Sequence, residues 1–296
     1  MSRSQDHLNK YIDTLDTYVE PIEYNCVTKA LTYFFHQEGY TQVCTQNRFS
    51  ILSACEEPKT VVSMEYCGKS WPLPQTGQMW LEYEILTRPD LKGVFCQTTS
   101  YREEKNIVPG RHFVCFPLFE FETRGNFQDL LELLTKLVTF LGYQSPTHLD
   151  YGEISEKYKT KEIEHEHEQR MCLDYTNVCF LKHFPSFTNP FWNMKFNEEC
   201  TVANKVDVIM SGAETIGCAE RSCDNDRMEK MFYEICDGEY HKLIFDKFSE
   251  ERTVAELKAF LNLPKVPRIG AGLGVTRLIS SLKKEGLFDA LMTRFG

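Results

Sequence analysis

The chain has 296 residues, of which 42% are hydrophobic and 26% charged, with a formal net charge of −10. This is an ordinary globular composition, and its acidic balance argues against a large nucleic-acid footprint, which would need lysine and arginine at many phosphates, while leaving room for a local nucleotide site. No apolar run is long enough to cross a bilayer and the first ten residues lack the apolar core of a secretory signal, so the expected compartment is the cytosol.

In chain order, apolar residues at helical spacing predict a helix over Asn25 to Tyr40, stopped at Gly39, followed by a short strand over Thr41 to Thr45. Gly93 to Arg102 and His112 to Glu122 are rich in aromatic and β-branched residues and predict two strands joined by a polar loop. Phe127 to Leu141 carries Leu130, Leu134, Leu137 and Leu141 on one helical face. Asp150 to Arg170 is highly charged and is expected to be exposed. Val206 to Met210 predicts a strand, Met228 to Phe248 and Val254 to Leu261 predict helices, and a last helix follows the glycine-rich stretch after Ile269. Strands and helices in this mixed order predict an α+β fold around an antiparallel sheet, a single domain over 20–296 behind an N-terminal extension, 1–19.

The 12 cysteines include no Cys-x-x-Cys pair, which excludes a zinc ribbon or finger. Most are expected to be small buried hydrophobes, unpaired in a reducing compartment. His165-Glu166-His167-Glu168 alternates its side chains and is expected to be a solvated surface. Trp71, Trp80 and Trp192 are expected to serve packing and not ligand stacking.

Two blocks carry chemistry. In Gly270-Ala271-Gly272-Leu273-Gly274-Val275-Thr276-Arg277 the alternate glycines admit a ligand close to the backbone, and Arg277 falls on the first turn of a helix, where an anion is favoured. Taken alone the block is equally a tight turn packing a helix on a sheet. In Tyr101-Arg102-Glu103-Glu104, followed by Arg111-His112 and Phe116, charges converge at a hairpin mouth. The planar fork of Arg102 suits a phosphate and Phe116 offers a ring face.

Together the blocks resemble motifs 2 and 3 of the class II aminoacyl-tRNA synthetases, and Gly39 to Thr45 resembles their motif 1. Gln46 stands where that family usually has proline. Thr76-Gly77-Gln78-Met79-Trp80-Leu81-Glu82 resembles a block of the asparaginyl enzymes. Asp207, Glu214 and Arg221, spaced by seven and seven, resemble the aspartyl/asparaginyl subclass, as does Phe191-Trp192-Asn193-Met194. The resemblance implies ATP and Mg²⁺ as cofactors. Arg102 would meet the α-phosphate and the attacking carboxylate, with Glu104 and Arg111 beside it. His112 and Arg277 would meet the β,γ-phosphates, and Phe116 would stack on adenine with Arg277 over its other face. Gly272 and Gly274 would pass close to the nucleotide, Asp207 and Glu214 would hold Mg²⁺, Gln78 and Glu120 would meet the substrate amino group, and Arg221 its side chain. Cys115 replaces a motif 2 glutamate and Gly217 a serine. Leu81 stands where aspartyl enzymes carry a lysine, which is the asparaginyl pattern.

About 20 residues precede the first predicted helix, too few for the anticodon-reading barrel of that subclass, so tRNA charging is not expected. The expectation is a homodimeric asparagine-synthetase-like ligase that adenylates aspartate and lets ammonia displace AMP. The alternatives are aminoacyl transfer to tRNA, another amine or a protein, and a non-catalytic sensor of amino acid or adenylate. Asparagine in place of aspartate remains open.

Overall fold

The computed structural model describes residues 19–45, 47–54, 58–103 and 113–296. Glu104, Arg111, His112 and Gln46 lie outside them, as does the whole of 1–18.

Helix α1 (Pro21–Gln37) begins earlier than its periodicity suggests, because Glu20 caps it by accepting from the backbone N–H groups of Ile22 and Glu23. It leads into β1 (Thr41–Gln42), a small hairpin β2 (Ser63–Tyr66) and β3 (Lys69–Pro72), and α2 (Gln78–Thr87). Then come β4 (Gly93–Tyr101), β5 (Cys115–Arg124), α3 (Phe127–Phe140), β6 (Thr147–Asp150), α4 (Tyr151–Tyr158), α5 (His165–Asp174) and β7 (Val178–Pro185). The chain continues through β8 (Val202–Met210), β9 (Ala213–Glu220), α6 (Asn225–Glu234), α7 (Glu239–Phe248) and α8 (Glu250–Leu261). It closes with β10 (Arg268–Gly274), α9 (Val275–Lys284) and α10 (Phe288–Phe295).

Eight strands form one sheet in the order β1-β4-β5-β10-β9-β8-β7-β6, antiparallel except where the edge strands β1 and β6 pair in parallel with β4 and β7. This is the expected α+β architecture. One face is covered by α1, α3, α9 and α10, whose apolar stripes meet Phe95, Phe119, Phe121, Val206, Val208, Ile216 and Leu273 in the largest core cluster. The alternation of strand side chains puts the charged residues of the same strands on the opposite face.

Four expectations need correction. The glycine block is a central strand, β10, paired on both sides, and its glycines alternate onto the charged face. The stretch over Asp150 to Arg170 forms α4 and most of α5, and buries Tyr151, Ile154, Tyr158 and Glu168. Glu168 takes the backbone N–H of Glu214 on an oxygen at 3.2 Å. The helix expected over Met228 to Phe248 is two, broken where Cys236, Asp237 and Gly238 all take positive φ. Of the described cysteines, all free, only Cys26, Cys96, Cys179 and Cys218 are buried, while Cys44, Cys67 and Cys223 are exposed. Among the described residues no helix is long and apolar enough to cross a membrane.

Candidate active site

The charged face of the sheet floors a cavity of about 390 Å³. Its residues fall into rows fixed by strand register. One row runs Asp207, Gly217, Gly272, Glu120 from β8 through β9 and β10 to β5. The next runs Lys205, Ala219, Gly270, Glu122. The central positions are glycine or alanine, so the floor is low where acids and cations stand on either side. A β-carbon at Gly270 would collide with the ends of the Glu122 and Gln78 side chains, so both would have to shift to admit one. At Gly272 a β-carbon would meet nothing nearer than Glu120 at 3.9 Å, which leaves open floor.

Arg102, Phe116, Gly274 and Arg277 gather at one end of the cavity. Arg102 leaves the end of β4, its backbone N–H bonded to the carbonyl of Val114 at 2.8 Å. Its guanidinium lies 5.3 Å from the centroid of the Phe116 ring. Arg277, on the first turn of α9, donates from Nη1 to the carbonyl of Glu214 at 2.6 Å. Arg102 thus covers a face of the Phe116 ring.

Two carboxylates converge beside them. A β-carbon on Gly217 would sit 3.2 Å from Glu214 Oε1 and 4.0 Å from Asp207 Oδ1, so the missing side chain leaves the space both acids face. Asp207 is buried, its Oδ2 pairs with Lys205 Nζ at 2.8 Å, and its Oδ1 has no hydrogen-bond partner. Burial, with the Glu214 charge adding to it, pushes the Asp207 carboxyl up to about 7 against the opposing pull of Lys205. An orphaned buried carboxylate oxygen beside a second acid fits a hard cation. Mg²⁺ is such an ion: it usually takes one or two carboxylates and completes its shell with phosphate and water.

At the other end, Gln78 donates from Nε2 to the carbonyl of Phe121 at 3.1 Å and to Glu122 Oε2. Both amide hydrogens are spent on the sheet, so Oε1 is the acceptor it offers. Glu120 is buried and takes Thr76 Oγ1, Thr98 Oγ1 and the Gly77 backbone N–H at 2.8 Å, which fixes the N-terminus of α2 to the floor. Arg221 borders the cavity, with Nη2 3.4 Å from Glu122 Oε2 and Nε 3.8 Å from Glu82 Oε1. Burial drives the Glu122 carboxyl up to about 7, opposed chiefly by Arg221.

The structure thus brings Arg102, Phe116, Gly272, Gly274, Arg277, Gln78, Glu120, Arg221 and Glu214 to one cavity, with Asp207 just behind its wall. Sequence reading gives no role to Lys205, Glu122 and Arg268, nor to Glu82 and Asn193, which it holds only within resembling blocks. Period-two alternation along β8 from Asp207 points to Lys205, and from Glu120 along β5 to Glu122. Nothing in the sequence pairs Arg268 with Glu82.

The chain matches the family of class II tRNA synthetases for D, K and N over residues 22–286. It belongs to that family. The asparagine–tRNA ligase of Desulforamulus reducens is 23% identical over 87% of this chain and 64% of its own length. Among solved structures, asparaginyl-tRNA synthetase of Pyrococcus horikoshii, complexed with asparaginyl-adenylate, superposes with a TM-score of 0.74 at 18% identity. That match covers 89% of this chain and 64% of that one. Aspartyl-tRNA synthetase of Entamoeba histolytica gives 0.66 at 19% identity, over 88% and 54%. The chain therefore spans just under two thirds of the length of the Desulforamulus ligase, and at these identities the structural likeness speaks for the fold.

Proposed function

We propose that this class II domain joins an amino acid to ATP as an aminoacyl-adenylate, releasing pyrophosphate, and that the amino acid is aspartate. The supporting observation is one cavity that lines up two arginines beside an aromatic ring, a converging pair of acids, and a third, buried arginine along a glycine-lowered floor. Adenylation brings a carboxylate to a polyanion, so cations must offset the repulsion and stabilise the in-line transition state. No side-chain nucleophile is needed. Phe116 would stack on adenine. Arg102, 5.3 Å from that ring, would reach the α-phosphate and the attacking carboxylate, and Arg277 the outer phosphates, with Glu104, Arg111 and His112 completing the nucleotide site. Asp207 and Glu214 would hold Mg²⁺, which when bound neutralises phosphate charge. Gln78 Oε1 would accept from the substrate ammonium, and Arg221 would pair with the aspartate carboxylate that is not adenylated.

For the acceptor we propose ammonia: aspartate presents its side-chain carboxylate to ATP, and ammonia attacks the β-carbonyl of the resulting β-aspartyl-AMP, loses a proton and expels AMP to give asparagine. The formal charge of −10 favours a small acceptor over a polyanion. The second reading is transfer to tRNA, which the name of the Desulforamulus relative favours. Incubation with ATP, Mg²⁺ and aspartate, with and without ammonium, separates the two. Asparagine and AMP formed only with ammonium support the first reading. AMP formed only with added tRNA, with no asparagine, overturns it.

A further inference from the structure

Lys205 has no role in the assignments above. It stands two residues before Asp207 on β8, so the pleat puts both side chains on the cavity face, and it borders the cavity. Its ammonium is gripped from two sides: Nζ is 2.8 Å from Asp207 Oδ2 and 3.9 Å from the centroid of the Phe184 ring. The backbone is irregular at this point. The β7–β8 ladder is in register through Lys182↔Val206 and resumes at Phe184↔Ala203, so two residues of β8, Asn204 and Lys205, face His183 alone. His183 has φ 63°, a left-handed conformation uncommon outside glycine, and its Nδ1 lies 2.8 Å from Asp150 Oδ2. A bulge of this kind re-aims side chains, and here it seats Lys205 on Phe184.

We propose that Lys205 is a positioning residue for the cation site: by holding Oδ2 of Asp207 it turns Oδ1 toward Glu214, and the bulge that packs Phe184 against Lys205 keeps it there. The inference rests on the adenylation reading, in which Asp207 and Glu214 hold Mg²⁺. The geometry divides the carboxylate cleanly. One oxygen is taken by the lysine, and the other is buried, unpartnered and on the side of Glu214. The opposite role, a lysine that merely dilutes the negative charge of the site, predicts the opposite sign. Removing it would then tighten cation binding, whereas removing a group that orients a ligand weakens it by roughly 10–100-fold.

The test titrates Mn²⁺ into the full chain, alone and with α,β-methylene-ATP, and reads the free ion by electron paramagnetic resonance. Lys205→Met is expected to weaken Mn²⁺ binding by roughly 10–100-fold, with Lys205→Arg retaining most of it and Phe184→Leu falling between. ATP affinity in EDTA is expected to stay unchanged. Mn²⁺ affinity that is unchanged or tighter in Lys205→Met overturns the proposal. If that variant does not fold, unchanged affinity in Phe184→Leu overturns it instead. Pyrophosphate exchange by the wild type runs alongside. A wild type that exchanges but whose Mn²⁺ affinity ignores these substitutions removes the role of Lys205 alone. One that neither exchanges nor binds Mn²⁺ removes the adenylation reading beneath it.

Discussion

Arg268 grips a single oxygen of Glu82, with Nε at 2.8 Å and Nη2 at 2.6 Å from Oε2, and both side chains are fully buried. The other oxygen of Glu82 takes Asn193 Nδ2 at 2.5 Å and lies 3.8 Å from Arg221 Nε. One carboxylate therefore ties β10, α2 and the segment at Asn193 together directly behind Arg221. Because the pair is sealed from water, removing one member leaves a buried charge without its chief partner. Arg268→Met is expected to cost roughly 3–5 kcal/mol of stability in urea denaturation. A loss below about 1 kcal/mol, typical of surface pairs, would contradict this.

Arg221 is expected to act on the amino acid rather than on ATP. Arg221→Leu should weaken aspartate binding by roughly 3–5 kcal/mol, the scale for breaking a buried ion pair, with little change for ATP. Equilibrium binding of each ligand separately checks this, and equal losses for both would remove Arg221 from the amino-acid pocket.

The glycines of β10 should differ in kind. Gly270→Ala places a β-carbon where Glu122 and Gln78 already sit, so it should lower the melting temperature and disturb the substrate end together. Gly272→Ala has room in the fold but raises the cavity floor, so it should leave stability nearly unchanged while impairing ligand binding. Thermal melts with and without ATP distinguish them, and identical behaviour would contradict the assignment of Gly272 to the floor.

Burial raises the Glu122 carboxyl from 4.5 to about 7. Between those values the folded chain keeps a proton that the unfolded chain has released, so stability should fall as pH rises through this window and level off above it. Asp207 is shifted in the same direction. Glu122→Gln should make the decline in urea midpoint between about pH 4.5 and 7 shallower without abolishing it. An unchanged slope would show that Glu122 is ionised in the fold throughout.

We further propose that the chain dimerises through α1 and β1. Ile22 and Tyr33 of α1 are 60% and 49% exposed, and a partner helix would cover such a face. Sedimentation equilibrium is expected to give a dimer that Ile22→Glu weakens; a wild-type monomer at micromolar concentration would contradict it.

The periodic helices and the aromatic strands of the sheet were legible because burial on one face leaves a period in the sequence. Phe127 to Leu141 and the paired strands β4 and β5 are examples. The glycines of β10 hid a strand, because residues without side chains carry no apolar alternation and the cavity, not the core, dictates them. Strands β6, β7 and β9 were missed for related reasons. β6 has four residues, β7 has most of its residues buried on both faces, and β9 interleaves acids, glycine and small residues that serve the site. Residues carried by a motif could be placed at the cavity from sequence, whereas Lys205 could not, nor could the pairing of Arg268 with Glu82 behind it. Their meaning lies in partners brought from other strands and helices, as Arg268 and Glu82 show across 186 positions. The broken helix at Cys236 was invisible because only the dihedrals reveal it.

The most direct test of adenylation is amino-acid-dependent exchange of labelled pyrophosphate into ATP, for the wild type and for Arg277→Ala. Wild-type protein is expected to exchange only with Mg²⁺ and aspartate, and Arg277→Ala, folded by circular dichroism, is expected to be silent. Absence of exchange with every amino acid, or exchange undiminished in Arg277→Ala, would contradict the assignment of this cavity to adenylate formation.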